Sequence, residues 1–326
     1  MRKTVLTACL LALAFSSAPA APKNKKAKET QPPAAPPARS EILKKHVIEL
    51  SDHIGERNTF KYENLKKAAD YLRREFISYG YAPEIQTFKS NKDDEKEYEN
   101  LIAEKKGTDN PEEIIIFLAH YDTAENAPGA DDNASAVAVL LEMARKAFPG
   151  YHGKTIRFAA AANEEPPFFK TSDMGSYRYA KLCRERGEKI IAMVCIESVG
   201  FFSDEEGSQY YPFPLKYFYP SKGDFISVIS NLSSKSLKDK VHASFKAGTN
   251  LRTEDIAAPA LLVKAVTLSD QWSFWSFGYK GVMVTDTAFY RTKYYHTPGD
   301  TWEKLDYKKM EEVTKGLENV LKDLAE

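Results

Sequence analysis

Apolar residues fall in two patterns along this chain, and the patterns alternate. Between positions 62 and 79, Leu65, Ala68, Ala69, Leu72 and Phe76 return every three or four residues, the spacing of one helix face. Residues 114–119 are apolar without a break, and 155–162, 190–196 and 281–285 are nearly so, which is how strands buried on both faces read. Further helices are expected at 134–147, 177–186, 225–245 and 307–325, and a further strand at 260–266. Strands of this kind need cover on both sides. The expected fold class is therefore α/β, a mixed, mostly parallel twisted sheet flanked by helices on both faces. With no internal repeat and no second hydrophobic unit, residues 42–326 read as one domain.

The first twenty residues follow neither pattern. Arg2 and Lys3 form a basic head, residues 4–15 are mostly apolar, and Ala18-Pro19-Ala20 places small residues where a signal peptidase reads them. The run is shorter than the ~20 residues a spanning helix needs. A signal peptide over 1–20, cleaved after Ala20, is expected, with a periplasmic or extracellular product. Leu6-Thr7-Ala8-Cys9 resembles a lipoprotein cleavage box but leaves almost no apolar segment ahead of Cys9. Residues 21–41 carry Lys23, Lys25, Lys26 and Lys28 and then a Pro/Ala tract; with little to bury, they are expected to be a disordered linker.

Composition narrows the partners. Lys plus Arg (46) balances Asp plus Glu (46), so no strong field draws nucleic acid or an anionic membrane. Stable membrane insertion is not expected, and oligomeric state leaves no mark in the sequence. Loss of the signal peptide removes Cys9, leaving Cys183 and Cys195. In an oxidising compartment these could pair, yet Cys195 lies in an apolar strand pattern where a free buried thiol is common, and both readings stay open.

The candidate chemistry lies at strand ends, where open α/β sheets place their ligand crevice. His120-Tyr121-Asp122 ends the first strand, and residues 128–133 (PGADDN) lead into a helix. Glu164-Glu165 and Glu197 end the next two strands, and His296 follows 281–285. Singly, each has a structural reading: Asp131 or Asp132 could cap the helix, the glutamates could be surface charge, and the histidine could be a surface residue. Five at strand ends make a set. Imidazole nitrogens and carboxylate oxygens suit zinc, whose catalytic sites keep a position open for water. Two zinc ions ~3.5–4 Å apart can share a carboxylate and activate one water. Asp122 can accept the proton on the far nitrogen of His120 and fix its tautomer. Glu164 and Glu165 point different ways at a strand end, so one can bind metal while the other handles protons.

FLAHYDT, PGADDNASA, Asn163-Glu164-Glu165, CIESVG and YYHTPGDT occur in the order found in family twenty-eight zinc peptidases. From about Asn58 to its end, without an inserted protease-associated domain, the chain resembles that family, which includes secreted bacterial aminopeptidases and glutamate carboxypeptidases. The resemblance implies a zinc-peptidase sandwich, two zinc ions and a peptide substrate. It makes Asp132 the bridging ligand, His120 and Glu197 the rest of one site, and Glu165 and His296 the rest of the other. Glu164 would be the general base, passing a proton from water to the leaving amine. Tyr295 resembles a tyrosine that steadies the carbonyl oxygen, with Tyr290 and Tyr294 as competitors. Glu197 stands where many relatives carry aspartate. Gln271 stands where many carry histidine, which leaves the substrate wall near Trp272 and Trp275 open.

Trp272, Phe274, Trp275 and Phe277 are spaced so closely that core and pocket should each receive some, with core packing the default for most of them. His46, His53, His152 and His242 lack a companion carboxylate cluster and are expected to be structural or exposed. Small size and the missing inserted domain favour an aminopeptidase over a carboxypeptidase, which needs arginines on the terminal carboxylate; Arg252 and Arg291 are the candidates. A glutaminyl-cyclase-like enzyme would share the fold and hold one zinc. A non-catalytic binding module would have no reason to keep all five ligands and Glu164.

Overall fold

In the computed structural model, residues 37–91, 95–147, 153–211 and 213–326 are described; the signal peptide, most of the linker, Cys9 and His152 lie outside them. Eight strands form one sheet: β1 (Glu84–Lys89), β2 (Glu97–Lys105), β3 (Asn110–His120), β4 (Lys154–Ala161), β5 (Lys189–Glu197), β6 (Phe225–Ser230), β7 (Arg252–Ala257) and β8 (Gly281–Thr285). Their order is β1-β2-β4-β3-β5-β8-β6-β7. The central β4, β3, β5 and β8 are parallel. On one side β2 is antiparallel to β4 and β1 to β2; on the other, β6 is antiparallel to β8 and β7 parallel to β6.

Strand β3 shows why both faces are covered. Ile115, Phe117 and Ala119 enter one core, while Ile114, Ile116 and Leu118 enter another, the two-residue alternation of a pleated strand. The larger core takes Leu43 of α1 (Arg39–Ile48), Leu72 of α2 (Tyr62–Ser78), Leu140 of α3 (Ala136–Ala147), Phe245 of α5 (Lys235–Ala247) and Leu317 of α7 (Tyr307–Ala325). The smaller takes Tyr179 and Cys183 of α4 (Gly175–Glu185) and Phe274 of α6 (Gln271–Ser276). Among the described residues, no helix is long and apolar enough to cross a membrane.

Several expectations need correction. The segment 225–245 is not one helix: Phe225–Ser230 is strand β6, Asn231 interrupts by accepting the Ser234 N–H on its side chain, and α5 follows. Short apolar runs do not separate strand from helix by period alone. No strand spans 260–266. The strand is the polar, half-exposed β7 just before it, and the apolar residues form a turn with Leu261 and Leu262 mostly in solvent. The apolar pattern of the sequence does not mark strands β1 and β2, and α1 begins at Arg39, inside the expected linker. Cys183 and Cys195 are both free and buried.

Candidate metal and active site

The parallel strands deliver the candidate residues to one edge of the sheet. His120 and Glu197 are the last residues of β3 and β5, Glu164 and Glu165 follow β4, and His296 lies in the loop after β8. Asp132 sits in the turn Ala130–Ser135 ahead of α3. That turn needs Gly129, whose φ is +62° and where a Cβ would stand 2.3 Å from the Asp132 carbonyl oxygen.

Asp132 is the centre of the cluster. Its Oδ1 lies 3.2 Å from His120 Nε2, which is 3.3 Å from Glu197 Oε2. Its Oδ2 lies 3.1 Å from His296 Nε2, which is 3.0 Å from Glu165 Oε1. Each of the two groups, His120–Asp132–Glu197 and Asp132–Glu165–His296, offers three ligand atoms within 4.8 Å of one another. Ligands around a tetrahedral zinc at ~2.0–2.1 Å stand ~3.3 Å apart, so these spacings fit. Asp132 Oδ1 and Glu165 Oε1 are moreover buried without a hydrogen-bond donor, although imidazole nitrogens are near. His296 Nε2 and Asp132 Oδ2 meet in a hydrogen bond, but these two buried oxygens have no donor and face the same small space as the imidazoles, an arrangement a cation could answer.

Electrostatics agree. Burial would lower the His120 pKa, but Glu197, Asp122 and Asp132 around it raise it well above the usual histidine range. Burial likewise opposes the charge on His296, yet Asp132 and Glu165 push it up to about 10. Asp132 is desolvated, and the two imidazoles still hold it below the ordinary carboxylate range. Glu165 is pushed up to about 8 by burial and by the Asp132 charge. Glu164 is raised well above the usual value by burial, with Glu165 and Glu197 adding to it against the pull of His120. Four buried carboxylates around two imidazoles are an excess of negative charge that divalent ions would neutralise.

Backbone clamps hold the set in place. Asp122 faces His120 Nδ1 at 3.4 Å and accepts the N–H groups of Glu164 (3.1 Å) and Glu165 (3.0 Å), so one carboxylate orients both strand ends. Asp300 accepts the N–H groups of Asp131 (2.8 Å) and Asp132 (3.1 Å). Asp131 turns away from the cluster and accepts the Gly200 N–H. Ser269 donates to Glu197 Oε2 at 2.6 Å. Arg57, fully buried, donates to the carbonyls of Leu50, Gly55, Tyr121, Pro128 and Gly129. Sequence reasoning missed Arg57, Ser269 and Asp300 in these roles; only Asp300 carried a signal, four residues past His296 in the same motif. Asn163, Ser198 and His296, beside or within the cluster, have φ of +61°, +44° and +56°. Left-handed backbone at such residues costs ~1–3 kcal/mol each and gathers at functional sites.

A pocket of about 800 Å³, counting space open to solvent, adjoins the cluster at Glu197 and Tyr295. Tyr211, Leu215, Ile229, Val266, Met283 and Tyr290 are among its mostly apolar walls. Tyr295 stacks on His296 with ring centres 3.8 Å apart, and burial raises its phenol well above the ordinary range, so it stays protonated. Tyr290 shares the pocket; Tyr294 packs edge-on against Phe201 instead. Trp272, Phe274, Trp275 and Phe277 do not line this pocket: Trp272 stacks with Tyr177, Trp275 donates to the Gly281 carbonyl, Phe274 is core, Phe277 packs on Tyr177, and Gln271 donates to the Val266 carbonyl. Nor does either candidate arginine face the cluster. Arg291 is buried against Phe225 and donates to Gln209 and the Phe201 carbonyl, and Arg252 pairs with Glu254 on the sheet edge. His46, His53 and His242 are engaged elsewhere, with Tyr71, Glu49 and Asp255.

The comparisons with known proteins accord with this geometry. The model of Peptidase family M28 matches residues 100–321, and the chain belongs to that family of hydrolases. It is 35% identical over 293 residues to the uncharacterized protein YfbL of Escherichia coli (strain K12), covering 87% of this chain and 88% of that one. Among solved structures it is similar to a zinc aminopeptidase from Bacillus subtilis (TM-score 0.70, 15% identity, 89% of this chain and 96% of that one). It is similar also to a glutaminyl cyclase from Porphyromonas gingivalis (TM-score 0.62, 18% identity, 87% and 98%). Likeness at these identities is one of fold, and the fold carries both chemistries. The choice between them rests on the site.

Proposed function

We propose that this chain is an exported aminopeptidase that holds two zinc ions, one between His120, Asp132 and Glu197 and one between Asp132, Glu165 and His296. The observation that carries the reading is Asp132, whose two oxygens each face a separate His/Glu pair. The same five positions do not by themselves exclude a one-zinc cyclase; metal counting separates the two, since two zinc ions per chain favour hydrolysis. Zinc held there supplies a Lewis acid and an activated water.

The residues around it do the rest. Glu164, buried beside the ligand Glu165, takes the proton as the water oxygen adds to the peptide carbonyl carbon, and returns it to the amine as the C–N bond breaks. Tyr295, protonated at the cluster edge, donates to the carbonyl oxygen as it gains charge. Glu164 and Glu197 offer negative charge to a substrate ammonium, and the apolar pocket next to Glu197 receives the side chain of the first residue. With Arg252 and Arg291 engaged elsewhere, no arginine of the pair supports a carboxypeptidase.

Turnover of aminoacyl fluorogenic amides, lost with chelator and restored by zinc, is the expected result. Cleavage of N-acetylated peptides alone, or one zinc per chain with cyclisation of an N-terminal glutamine, would overturn the aminopeptidase reading. Export rests on the basic head, the apolar run and Ala18-Pro19-Ala20. N-terminal sequencing of the mature protein should begin at Ala21, and a product starting at Met1 or lipidated on Cys9 would overturn it.

A further inference from the structure

The rim of the apolar pocket carries most of the exposed hydrophobic surface. Residues 209–219, 258–268 and 287–295 all contribute to the pocket lining. These three segments also hold seven of the ten exposed large hydrophobic side chains among the described residues. Tyr210, Phe213, Tyr217 and Phe218 stand on the first, Leu261 and Leu262 on the second, and Phe289 on the third. The first and third are tied together: Tyr210 N–H donates to the Tyr290 carbonyl at 2.7 Å, and Gln209 Nε2 donates to Thr287 Oγ1 at 2.8 Å. The two leucines stand out furthest. The N–H groups of Leu262 and Val263 both donate to the Pro259 carbonyl, a turn that leaves Leu261 89% and Leu262 77% exposed. Apolar side chains gathered on one rim mark a surface that something else covers.

Charge narrows what that cover is. None of the three segments contains an aspartate or a glutamate. Each carries one exposed lysine, Lys216, Lys264 and Lys293, and two of these lie over aromatic rings, those of Tyr217 and Tyr294. The acids that flank the segments in sequence are engaged or inward: Glu206 pairs with Lys222, Asp255 with Lys238, and Asp270 and Asp286 are buried. The balanced net charge is a sum over the whole chain and hides this local excess. A second copy is a poor occupant, because a two-fold contact sets the patch against itself and brings like charges together. Exposed Tyr, Phe and Leu interleaved with Lys suit the boundary between water and an anionic bilayer. There the rings sit at headgroup level, and each lysine gains from the negative surface potential. We propose that this rim docks the protein on an anionic lipid surface, with the Leu261–Leu262 turn entering the headgroup layer and the pocket opening beside it. This is attachment to a surface and not insertion across it, and it does not depend on the peptidase reading.

The test is co-sedimentation with vesicles of phosphatidylcholine alone, or of phosphatidylcholine and phosphatidylglycerol in equal parts. The chain used begins at Ala21, so every sample keeps the lysines at 23, 25, 26 and 28. Wild type should bind the anionic vesicles at least about tenfold more tightly than the neutral ones, and added salt should weaken that binding. Leu261→Asp together with Leu262→Asp should lower it by about tenfold or more, because the turn then carries charge into the headgroup layer. Lys216→Gln, Lys264→Gln and Lys293→Gln together should cost at least as much, since each lysine near the surface contributes about fivefold. Both variants should keep the wild-type Tm, because all five side chains are exposed; if the leucine variant does not fold, the lysine variant decides. Three results overturn the proposal. Wild type may ignore anionic vesicles. Either variant may bind as wild type does, which would place the binding on the Lys-rich residues near the start. A dimer in solution that the leucine variant abolishes would show that a second copy covers the rim.

Discussion

The two halves of the cluster offer the same candidate ligand types and are built differently. His120 is a strand residue with 1% of its side chain exposed, and carboxylates face both ring nitrogens. His296 is a loop residue with left-handed backbone and 32% of its side chain exposed, supported mainly by the Tyr295 ring beneath it. Glu197 likewise ends a strand and is fixed by Ser269, whereas Glu165 lies in the loop beyond β4 and is held through its N–H by Asp122. Ligands on regular elements keep their geometry better than ligands on loops. One half should therefore be rigid and the other labile, with Asp132 the link between them.

On the two-zinc reading, Asp132→Ala removes that link and gives the largest effect: both ions should leave and turnover should vanish, read by elemental analysis and aminoacyl-amide kinetics. Full zinc in that variant would break the comparison outright. Glu164→Gln should keep zinc near normal and lower kcat by ~10²-fold or more, the scale of a positioned acid–base group. Glu165→Gln should instead weaken the loop-built half, since an amide is a poorer ligand than a carboxylate. The reverse pattern would exchange the roles of the two glutamates. Asp122→Asn spans both halves through His120 and the Glu164–Glu165 backbone, and should cost ~10–100-fold in metal affinity or activity.

Smaller effects sharpen the contrast. Under graded chelation the His296 half should empty first, so zinc per chain should pause near one before falling further; simultaneous loss would show the halves to be equally firm. The metal-free protein should also lose stability as pH rises. Glu165, pushed up to about 8, and His296, pushed up to about 10, hold their protons more tightly folded than unfolded. Stability that is full below their ordinary values is then lost as pH climbs through the raised ones, while the lowered Asp132 matters only in acid. Zinc needs the deprotonated ligands, so the Tm gap between loaded and stripped protein should widen from pH 6 to 9. A gap that narrows over that range would contradict this balance.

Legibility followed burial. Strands β3, β4, β5 and β8, covered on both faces, announce themselves as apolar runs, and the cluster residues at their ends could be picked out by position. Helix α7 was equally plain from its spacing. At the sheet edge the signal inverts. The half-exposed β7 reads as polar, while the neighbouring Leu261 and Leu262, apolar and in solvent, mimic a strand. The pocket lining was not legible at all, because it comes from segments distant in sequence, while Trp272 and Trp275, whose place in a wall the sequence leaves open, make contacts within their own surroundings. Arg57 was invisible because nothing in its local sequence marks an arginine as buried.

That arginine has a consequence for how such a site can vary. Each of its five acceptors is a main-chain oxygen, so the clamp reads the path of the chain and not the identity of its side chains. As far as Arg57 is concerned, Leu50, Tyr121 and Pro128 can be exchanged without loosening the loops that present His120 and Asp132. Loop chemistry is thereby separated from loop shape: substitutions there can retune what the site accepts while its ligands keep their places. Replacing Arg57 itself would take a donor from five carbonyls at once, of which Leu50 and Gly129 keep a backbone N–H, a defect that no single change in the loops could repair.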